Sequence, residues 1–598
     1  MAEKSFHPVD YVVFGLMLLI SAGIGIYHGC TGGKQRTTSE YLLGNRNMNT
    51  LPIAISLLVT FLSAITLLGV PSEIFTYGAQ YMVVLFSYFL LTATAAIIFV
   101  PIFHGLRLTS VHEYLELRFG HGVRTLGFIL FLVHYMLYLS VALYAPSLAL
   151  QAVAGVPLVV SIISTGVVCT FYTALGGLKA VIWTDVFQSI VMVGGLITIF
   201  VVGTINVGGF DQVWKINKER GRLTFFDFNP DPTIRNTFWT LAIGGTFTVI
   251  LPWTVSQTAA QRFLASKDVK TAQRALWLNI PGLIFIITFC CLDGLVIFAV
   301  YADCDLKKAG HITNNDQVLP YFVIDKLGHL KGVPGLFMAC LFSGALSSIS
   351  SGLNSLIAVT LEDVVKKRWT SLSDYEATIL SKLLAVVYGI IVICGAFAVE
   401  FVGTLVLQLA YTISGLIGGP LAGIFFLGVL LPRANYKGAY VGALVGFSMS
   451  VTIAISSILY PPDKMAASIS IKKCDFFNAT SYANITGDGI ISRNFIPHSE
   501  PFAKLGRLSY LWYSATALAA TFVVGAIVSL ICETKSDRQS RPGPELLFSI
   551  PDFFRSLICC GKDNWNVARD SSSHRRPREE KRFIVTAKGE DLEMDKLN

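Results

Sequence analysis

Charge is scarce in this chain: Asp, Glu, Lys and Arg make up only 14% of its 598 residues, where an ordinary soluble protein carries about 25%. A water-soluble fold of this size is thereby excluded. No long basic block interrupts the folded part, and 46 Lys and Arg stand against 38 Asp and Glu, which argues against a nucleic-acid partner. The 11 cysteines include no CxxC and no Cys/His pair at zinc spacing, and they are too few for a disulfide scaffold. "TGGKQ" at Thr31 to Gln35 lacks the spacing and the Ser or Thr of a phosphate-binding loop. Direct ATP coupling has no support. "HEYLE" at His112 to Glu116 is not HExxH, and no G-x-S-x-G occurs, so an intramembrane hydrolase has no visible catalytic set and the chain is not read as an enzyme.

What the chain has instead is apolar length, with 53% apolar residues gathered into runs such as "MVVLFSYFLLTATAAIIFVPIF" that exceed the roughly 18–20 residues needed to cross a bilayer core. Windows of about 20 residues predict thirteen spans: 10–28, 50–77, 81–104, 125–151, 157–175, 183–204, 237–261, 277–301, 333–361, 379–399, 405–431, 438–460 and 508–532. An all-α, polytopic membrane protein follows, with termini on opposite sides. The first span has only Lys4 before it and no cleavage site, and reads as a retained helix.

Loop charges orient the chain. Lys34, Arg36, Arg46, Arg107, Arg118, Lys179, Arg262, Lys267, Lys270, Arg274, Lys366, Lys367, Arg368, Arg433 and Lys437 fall in short loops on one side, which the positive-inside rule makes cytosolic. The N-terminus is then extracellular and the C-terminus cytosolic. Loop 461–507, which holds the sequons at Asn478 and Asn484, lies outside on the same count. Cys304 and Cys474 fall in two external loops, where a disulfide between them and two unpaired thiols are equally open readings. Residues 533–598 form a polar cytosolic tail, in which Cys559 and Cys560 follow an amphipathic stretch and are candidates for palmitoylation.

Polar residues inside spans cost free energy unless they face protein, water or an ion. In the second span Thr60, Ser63 and Thr66 recur at helical spacing ahead of Gly69 and Pro71, which weaken the helix. A helix broken in mid-membrane exposes carbonyls that a cation can use. In the ninth, Ser343, Ser347, Ser350 or Ser351, and Asn354 form one stripe; helix-packing glue is the alternative reading. A hard cation such as Na+ takes oxygen ligands of this kind. Asp185 and Gln188 lie in the sixth span, and Gly244, Gly245 and Pro252 mark a second break, in the seventh, ahead of Gln257. Two breaks five spans apart suggest inverted five-helix repeats. His134 and Asp293 are further intramembrane polar residues, read as satisfied or cavity-lining.

The runs "GGLKAVIWTDVFQ" from Gly176, "GVPSEIFTYGAQY" from Gly69, "YAPSLAL" from Tyr144 and "FSGALSSISSGLNSLIAVTLED" from Phe342 together resemble the sodium/solute symporter family. The likeness spans about residues 10–460 and the last span. The wording is similar to the animal branch that holds the multivitamin, monocarboxylate and iodide transporters, and "LLVTFLSAI", "PSEI" and "YAPSLAL" are most like the multivitamin type.

The resemblance implies a leucine-transporter-like core of ten helices with one extra helix before it and two after. The chain then divides into 1–28, the external N-terminus and extra helix; 50–301, the first repeat and the start of the second; 302–460, the rest of the second repeat and one further helix; the glycosylated loop 461–507; the last helix 508–532; and the tail 533–598. It implies a sodium site from the carbonyls of Val59, Leu62 and Gly344 and the hydroxyls of Ser347 and Ser348. A second sodium region would draw on Thr60, Ser63, Tyr138, Asp185, Gln188 and Gln257, and the substrate cavity on Thr66, Val249, Trp253, Ile287 and Tyr411. Sugar carriers of the family have Asn and His where this chain has Phe61 and Thr66; the iodide carrier has Gln at the Thr66 position and an aromatic at Val249. Asp293 stands where relatives are uncharged and, if it faced the cavity, would repel anions. The expectation is plasma-membrane uptake of a small organic anion, a vitamin such as pantothenate or biotin or a monocarboxylate, with Na+ as coupling ion and no organic cofactor. An inorganic-anion carrier and a substrate-gated channel or sensor are the alternatives.

Overall fold

The computed structural model describes residues 6–30, 46, 48–369, 371–402, 405–460, 501–539 and 541–549. Asn478, Asn484, Cys474, Cys559 and Cys560 lie outside these. The described residues up to Phe548 belong to one compact unit.

The described residues build helices and no strand beyond a single bridge between Met48 and Ser266. In chain order the elements that matter here are α1 (Pro8–Tyr27), α2 (Thr50–Phe61), α3 (Ala64–Tyr77), α4 (Ala79–Gly105), α5 (His112–Phe119), α6 (His121–Ala154), α7 (Leu158–Phe171), α8 (Ala180–Val207), α9 (Phe210–Glu219), α10 (Trp239–Val255), α11 (Gln257–Leu264), α12 (Val269–Val300), α13 (Val333–Arg368), α14 (Tyr375–Val402), α15 (Val406–Leu430), α16 (Tyr436–Leu459) and α17 (Tyr510–Ile531). Ten of these are apolar and long enough to cross a bilayer, α2 with α3 and α10 with α11 form two bent pairs, and α7 is a shorter apolar helix. Twelve of the thirteen expected spans thus have a long helix or a bent pair, and the fifth falls on the shorter α7. Between α7 and α8, where the sequence reading placed a loop at Lys179, helical bonding runs unbroken over Leu158–Val207; no proline lies in that stretch to end it.

Both bends fall where the backbone leaves the helix, and neither falls at the glycines and prolines that the sequence pointed to as helix breakers. The pair α2 and α3 turns by 57° at Leu62 and Ser63, while Gly69 and Pro71 lie inside α3. Gly69 serves packing: a Cβ there would stand 2.6 Å from Leu407 Cβ. The pair α10 and α11 turns by 49° at Ser256, whose backbone is extended and whose hydroxyl accepts the Ala259 amide as a cap. Gly244 and Gly245 lie within the helix, and Pro252 opens a π-helical turn just ahead of the break.

The extra helix α1 steadies the two helices that carry the polar stripe. Asp10 accepts the Gly332 and Gly335 amides at 2.8 and 3.2 Å, capping the start of α13, and Gln188 on α8 donates to Ser21 at 3.4 Å. At the other end of the chain Gly438, Gly442 and Gly446 let α16 press on α17, where an added Cβ would approach Ser529, Thr521 and their neighbours to 2.0–2.4 Å.

Candidate ion and substrate site

Where α2 stops, Leu62 and Ser63 take non-helical conformations. The amides of Thr66 and Leu67 both bond to the Ser63 carbonyl, at 2.9 and 3.2 Å. In an unbroken helix the Thr66 amide would close on Leu62, so the break leaves the Leu62 oxygen to another partner. Gly344 on α13 passes directly over it: a Cβ at Gly344 would stand 3.0 Å from that oxygen and 3.3 Å from the Ala64 nitrogen. Ser348 donates to the Thr60 carbonyl at 2.8 Å and Ser347 to Asp185 Oδ1 at 2.5 Å. Val59 is buried one turn before Leu62. Of the five residues of the expected sodium site, Leu62, Gly344 and Ser348 thus meet around the helix break, Ser347 turns to Asp185, and Val59 lies one turn away along α2; carbonyl and hydroxyl oxygens are the donors a hard cation takes.

The second sodium region divides. Asp185, Thr60 and Ser347 share one cluster, with Thr60 Oγ1 3.5 Å from Asp185 Oδ2, and the Tyr138 hydroxyl donates to Ser63 at 3.5 Å. Gln188 instead bonds to α1. Gln257, the first residue after the second break, accepts the Val111 amide at 2.9 Å and donates to the Thr109 carbonyl at 2.8 Å, holding the turn before α5.

The centre of the Asp185 cluster is Arg262, which the sequence reading counted as a loop charge. It is fully buried, as is Asp185. Its Nε donates to Ser56 at 2.8 Å, Nη1 to the Thr258 carbonyl at 2.9 Å, and Nη2 to Thr60 and Ser351 at 2.6 Å each and to Asp185 Oδ2 at 3.2 Å. Ser56 completes the ring by donating to Asp185 Oδ2 at 2.5 Å. One guanidinium therefore ties α11 to α2, α8 and α13. The signal for it was the acid itself, because a carboxylate within a span calls for a buried cation.

Next to the break lies an aromatic shaft. Trp253 packs between Phe61 and Tyr88, with ring centres 4.6 and 6.0 Å away. The hydroxyls of Tyr81 and Tyr411 are 3.2 Å apart, and Tyr411 stacks on Tyr510 at 6.1 Å. Of the other expected cavity residues, Thr66 is buried three residues beyond Ser63, Ile287 is buried in the main core, and Val249 packs against that core. Tyr81, Tyr88 and Tyr510 were not singled out from the sequence, since an aromatic within an apolar run carries no signal of its own; Phe61 was named only as a position where sugar carriers differ. His134 reaches Ser414 at 3.4 Å. Asp293 is fully buried and neither of its oxygens has a hydrogen-bond partner among the described residues; its neighbour Gly294 is pressed against Pro71 and Ile74 of α3.

Polar clasps stand at both ends of the bundle. At one end Arg235, in loop 222–238, grips Glu73 of α3 through two bonds of 2.8 and 2.9 Å and reaches Gln408 of α15 at 3.0 Å. At the other, Asp363 at the end of α13 pairs with Arg124 of α6 and lies 3.0 Å from His112 Nδ1, while Arg124 and Lys367 both pair with Glu116.

A break in a helix facing a serine stripe, in a bundle of thirteen apolar segments, is the arrangement of a cation-coupled carrier. The family model described as the sodium:solute symporter family matches residues 41–446. The chain belongs to the sodium:solute symporter family. Its relatives in that family include the sodium-dependent multivitamin transporter of Oryctolagus cuniculus, 42% identical over 93% of this chain and 88% of the relative. Sodium-coupled monocarboxylate transporter 1 of Homo sapiens is 41% identical over 92% and 90%, and the human sodium/iodide cotransporter 37% identical over 96% and 88%. Among solved structures, a Na+-coupled sialic acid symporter in a substrate-bound outward-open state superposes with a TM-score of 0.70 at 24% identity, covering 88% of this symporter and 98% of that chain. The fold is therefore that of the leucine-transporter-like carriers, as the resemblance implied, and Na+ is the coupling ion of the family.

Proposed function

We propose that this symporter brings a small organic anion into the cell across the plasma membrane, driven by Na+, with its N-terminus outside and its C-terminus in the cytosol. The observation that carries the reading is the broken helix at Leu62, whose freed carbonyl faces Gly344 while Ser348, one turn further along α13, donates to the neighbouring Thr60 carbonyl. Na+ bound by Val59, Leu62, Gly344, Ser347 and Ser348 holds α2 against α13 and so biases the protein toward the state that accepts substrate from outside. Asp185, Thr60, Ser63 and Tyr138 supply the region for a second Na+, with Gln188 and Gln257 bracing its surroundings. Thr66, Val249, Trp253, Ile287 and Tyr411 line the path of the substrate. Relatives named for vitamins and for monocarboxylates favour an organic anion, and Thr66 and Val249 in place of the iodide carrier's residues point the same way. Cys304 is disulfide-bonded, and its proposed partner is Cys474 in the glycosylated loop.

Voltage contributes about 2.3 kcal/mol per charge per 100 mV. Two Na+ moving with one monovalent anion carry one net charge inward, so the membrane potential aids accumulation. The test is uptake of radiolabelled butyrate, nicotinate, pantothenate and biotin in cells expressing the chain, with current recorded alongside. Uptake of at least one in Na+, its loss in choline, and a fixed charge-to-substrate ratio are expected. Equal uptake in choline would end the reading, and a variable ratio would make the protein a channel.

In this orientation Asp316 faces outside. It accepts the Val406 amide at 2.8 Å, capping α15, and its other oxygen has no hydrogen-bond partner among the described residues. Burial pushes its carboxyl up to about 7, against the lowering effect of the Val406 bond and with Glu73 adding repulsion. A carboxyl raised on docking holds its proton in the docked state where the undocked state, near 4, has lost it. Docking of this loop is therefore strongest at low pH and weakens as pH rises through about 7. Na+-evoked currents should change between external pH 6 and 8 in the native protein and stay level in Asp316→Asn, which keeps the acceptor but does not titrate; an unaltered pH response in the variant would remove Asp316 from the account.

A further inference from the structure

The guanidinium of Arg235 is enclosed as a carboxylate-binding site is built, and the carboxylate that fills it belongs to the chain itself. Its Nε donates to Glu73 Oε1 at 2.8 Å and its Nη2 to Glu73 Oε2 at 2.9 Å, the two-pronged pairing that makes arginine selective for planar carboxylates. Nη1 donates to Gln408 at 3.0 Å. The rings of Tyr77 and Tyr510 lie 4.3 and 4.6 Å from the guanidinium carbon. Asn236 adds a third donor to Glu73 Oε1 at 3.1 Å, and Ser509 fixes the Arg235 carbonyl at 2.9 Å. Glu73 is almost fully buried, while about a fifth of the Arg235 side chain is open to solvent.

Each partner of Arg235 continues from a residue of the cavity. Glu73 follows Thr66 by two turns on α3, about 10 Å along the same face. Gln408 is one turn from Tyr411 on α15, about 4.5 Å, and Tyr510 stacks on Tyr411 itself. The clasp thus stands in line with the cavity, on the side proposed as external.

We propose that Arg235 is an entrance site for the substrate's carboxylate, kept filled by Glu73 until an incoming anion displaces it. This rests on the organic-anion reading above. The exchange conserves charge at the guanidinium, since one carboxylate leaves the fork as another takes it and the cation is never left bare. Glu73, once released, no longer ties α3 to the partners of Arg235 on α15 and at the start of α17. The way from the clasp to Thr66 and Tyr411 then opens.

An entrance site and a simple latch differ in the sign of their effects. Were Glu73 only a latch, Glu73→Gln and Arg235→Lys would loosen the same contact and shift KM in the same direction. Were Glu73 a competitor for the fork, Glu73→Gln would lower the KM of the carboxylate several-fold. Arg235→Lys, which keeps the charge but loses the fork, would raise it by about tenfold, the loss of one charge-assisted pair. Gln408→Glu, which sets a second internal carboxylate against Nη1, would also raise it and keeps the shape of the site should the other variants fold poorly. The measurement is Na+-dependent uptake of butyrate, nicotinate, pantothenate or biotin, whichever the native protein takes up, normalised to surface-biotinylated protein, with Na+ half-saturation alongside. Opposite KM shifts in Glu73→Gln and Arg235→Lys together with a raised KM in Gln408→Glu, or that raised KM alone where the other two variants do not fold, support the site. A KM unchanged in Arg235→Lys or in Gln408→Glu, or moved the same way in Glu73→Gln and Arg235→Lys, overturns it. If the native protein takes up none of the four, the organic-anion reading itself fails, and this site falls with it; native uptake with unaltered variant KM values removes the entrance site alone.

Discussion

Arg262→Met should destabilise the protein by about 3–5 kcal/mol, the usual cost of stripping one partner from a buried ion pair. Arg262 and Asp185 are both fully buried. Removing the guanidinium leaves the Asp185 carboxylate with only hydroxyl donors, from Ser56, Ser347 and Thr60, and unties α11 from α2 and α13 at once. Thermal unfolding of the detergent-solubilised variant should come several degrees early, with fewer copies at the cell surface. The informative partner is the double variant Arg262→Met with Asp185→Leu. With no charge left to bury, most of the lost stability should return, because a matched apolar pair replaces a buried ionic one at little cost. Transport should not return with it, since Asp185 belongs to the proposed second sodium region. A single variant as stable as the native protein would show that the pair holds nothing together.

The spans and the serine stripe were legible in the sequence because they rest on periodicity, which the bilayer enforces residue by residue. Ser343, Ser347 and Asn354 share one face of α13 in the structure as the spacing required, and every expected span has its helix. Where the helices break was less legible. Gly69 and Pro71 weaken a helix in isolation, yet both sit inside α3: Gly69 is needed against Leu407, and Pro71, in mid-helix, costs a helical bond without ending the helix. The observed breaks, at Leu62 and Ser256, are set by partners far away in sequence: Gly344 pressing on the Leu62 oxygen, and Gln257 bonded to the turn at Thr109 and Val111. Arg262 was hidden for a related reason. Placed at the end of an apolar run it reads as a loop charge, and only the packing of α11 against α13 and α2 turns it inward to Asp185. The separation of Gln188 and Gln257 from Asp185 is of the same kind, since spacing along one helix cannot say which neighbour each face meets.

Ser348→Ala should abolish Na+-dependent uptake while leaving surface expression close to native. The hydroxyl it removes donates to the Thr60 carbonyl at 2.8 Å, so the structural loss is one neutral hydrogen bond, about 1 kcal/mol, and no charge is stranded. The loss to the ion is larger in kind. In the proposed site a cation would have the oxygens of Val59, Leu62, Gly344, Ser347 and Ser348 to replace its water, and three of these would be backbone carbonyls that substitution cannot touch. Deleting one of the two hydroxyls leaves Na+ under-coordinated where bulk water cannot make up the difference, and the bias that Na+ places on α2 against α13 is lost with it. Ser381→Ala is the control, because that buried hydroxyl bonds back to Ala377 within its own helix α14, at 2.8 Å, and faces no proposed ion. Gly344→Ala reaches the same end by a steric route, its methyl standing 3.0 Å from the Leu62 oxygen. Both Ser348→Ala and Gly344→Ala should therefore lose Na+-dependent uptake and Na+-evoked current while Ser381→Ala keeps them, and native-like uptake in Ser348→Ala with its Na+ half-saturation unmoved would place the coupling ion elsewhere.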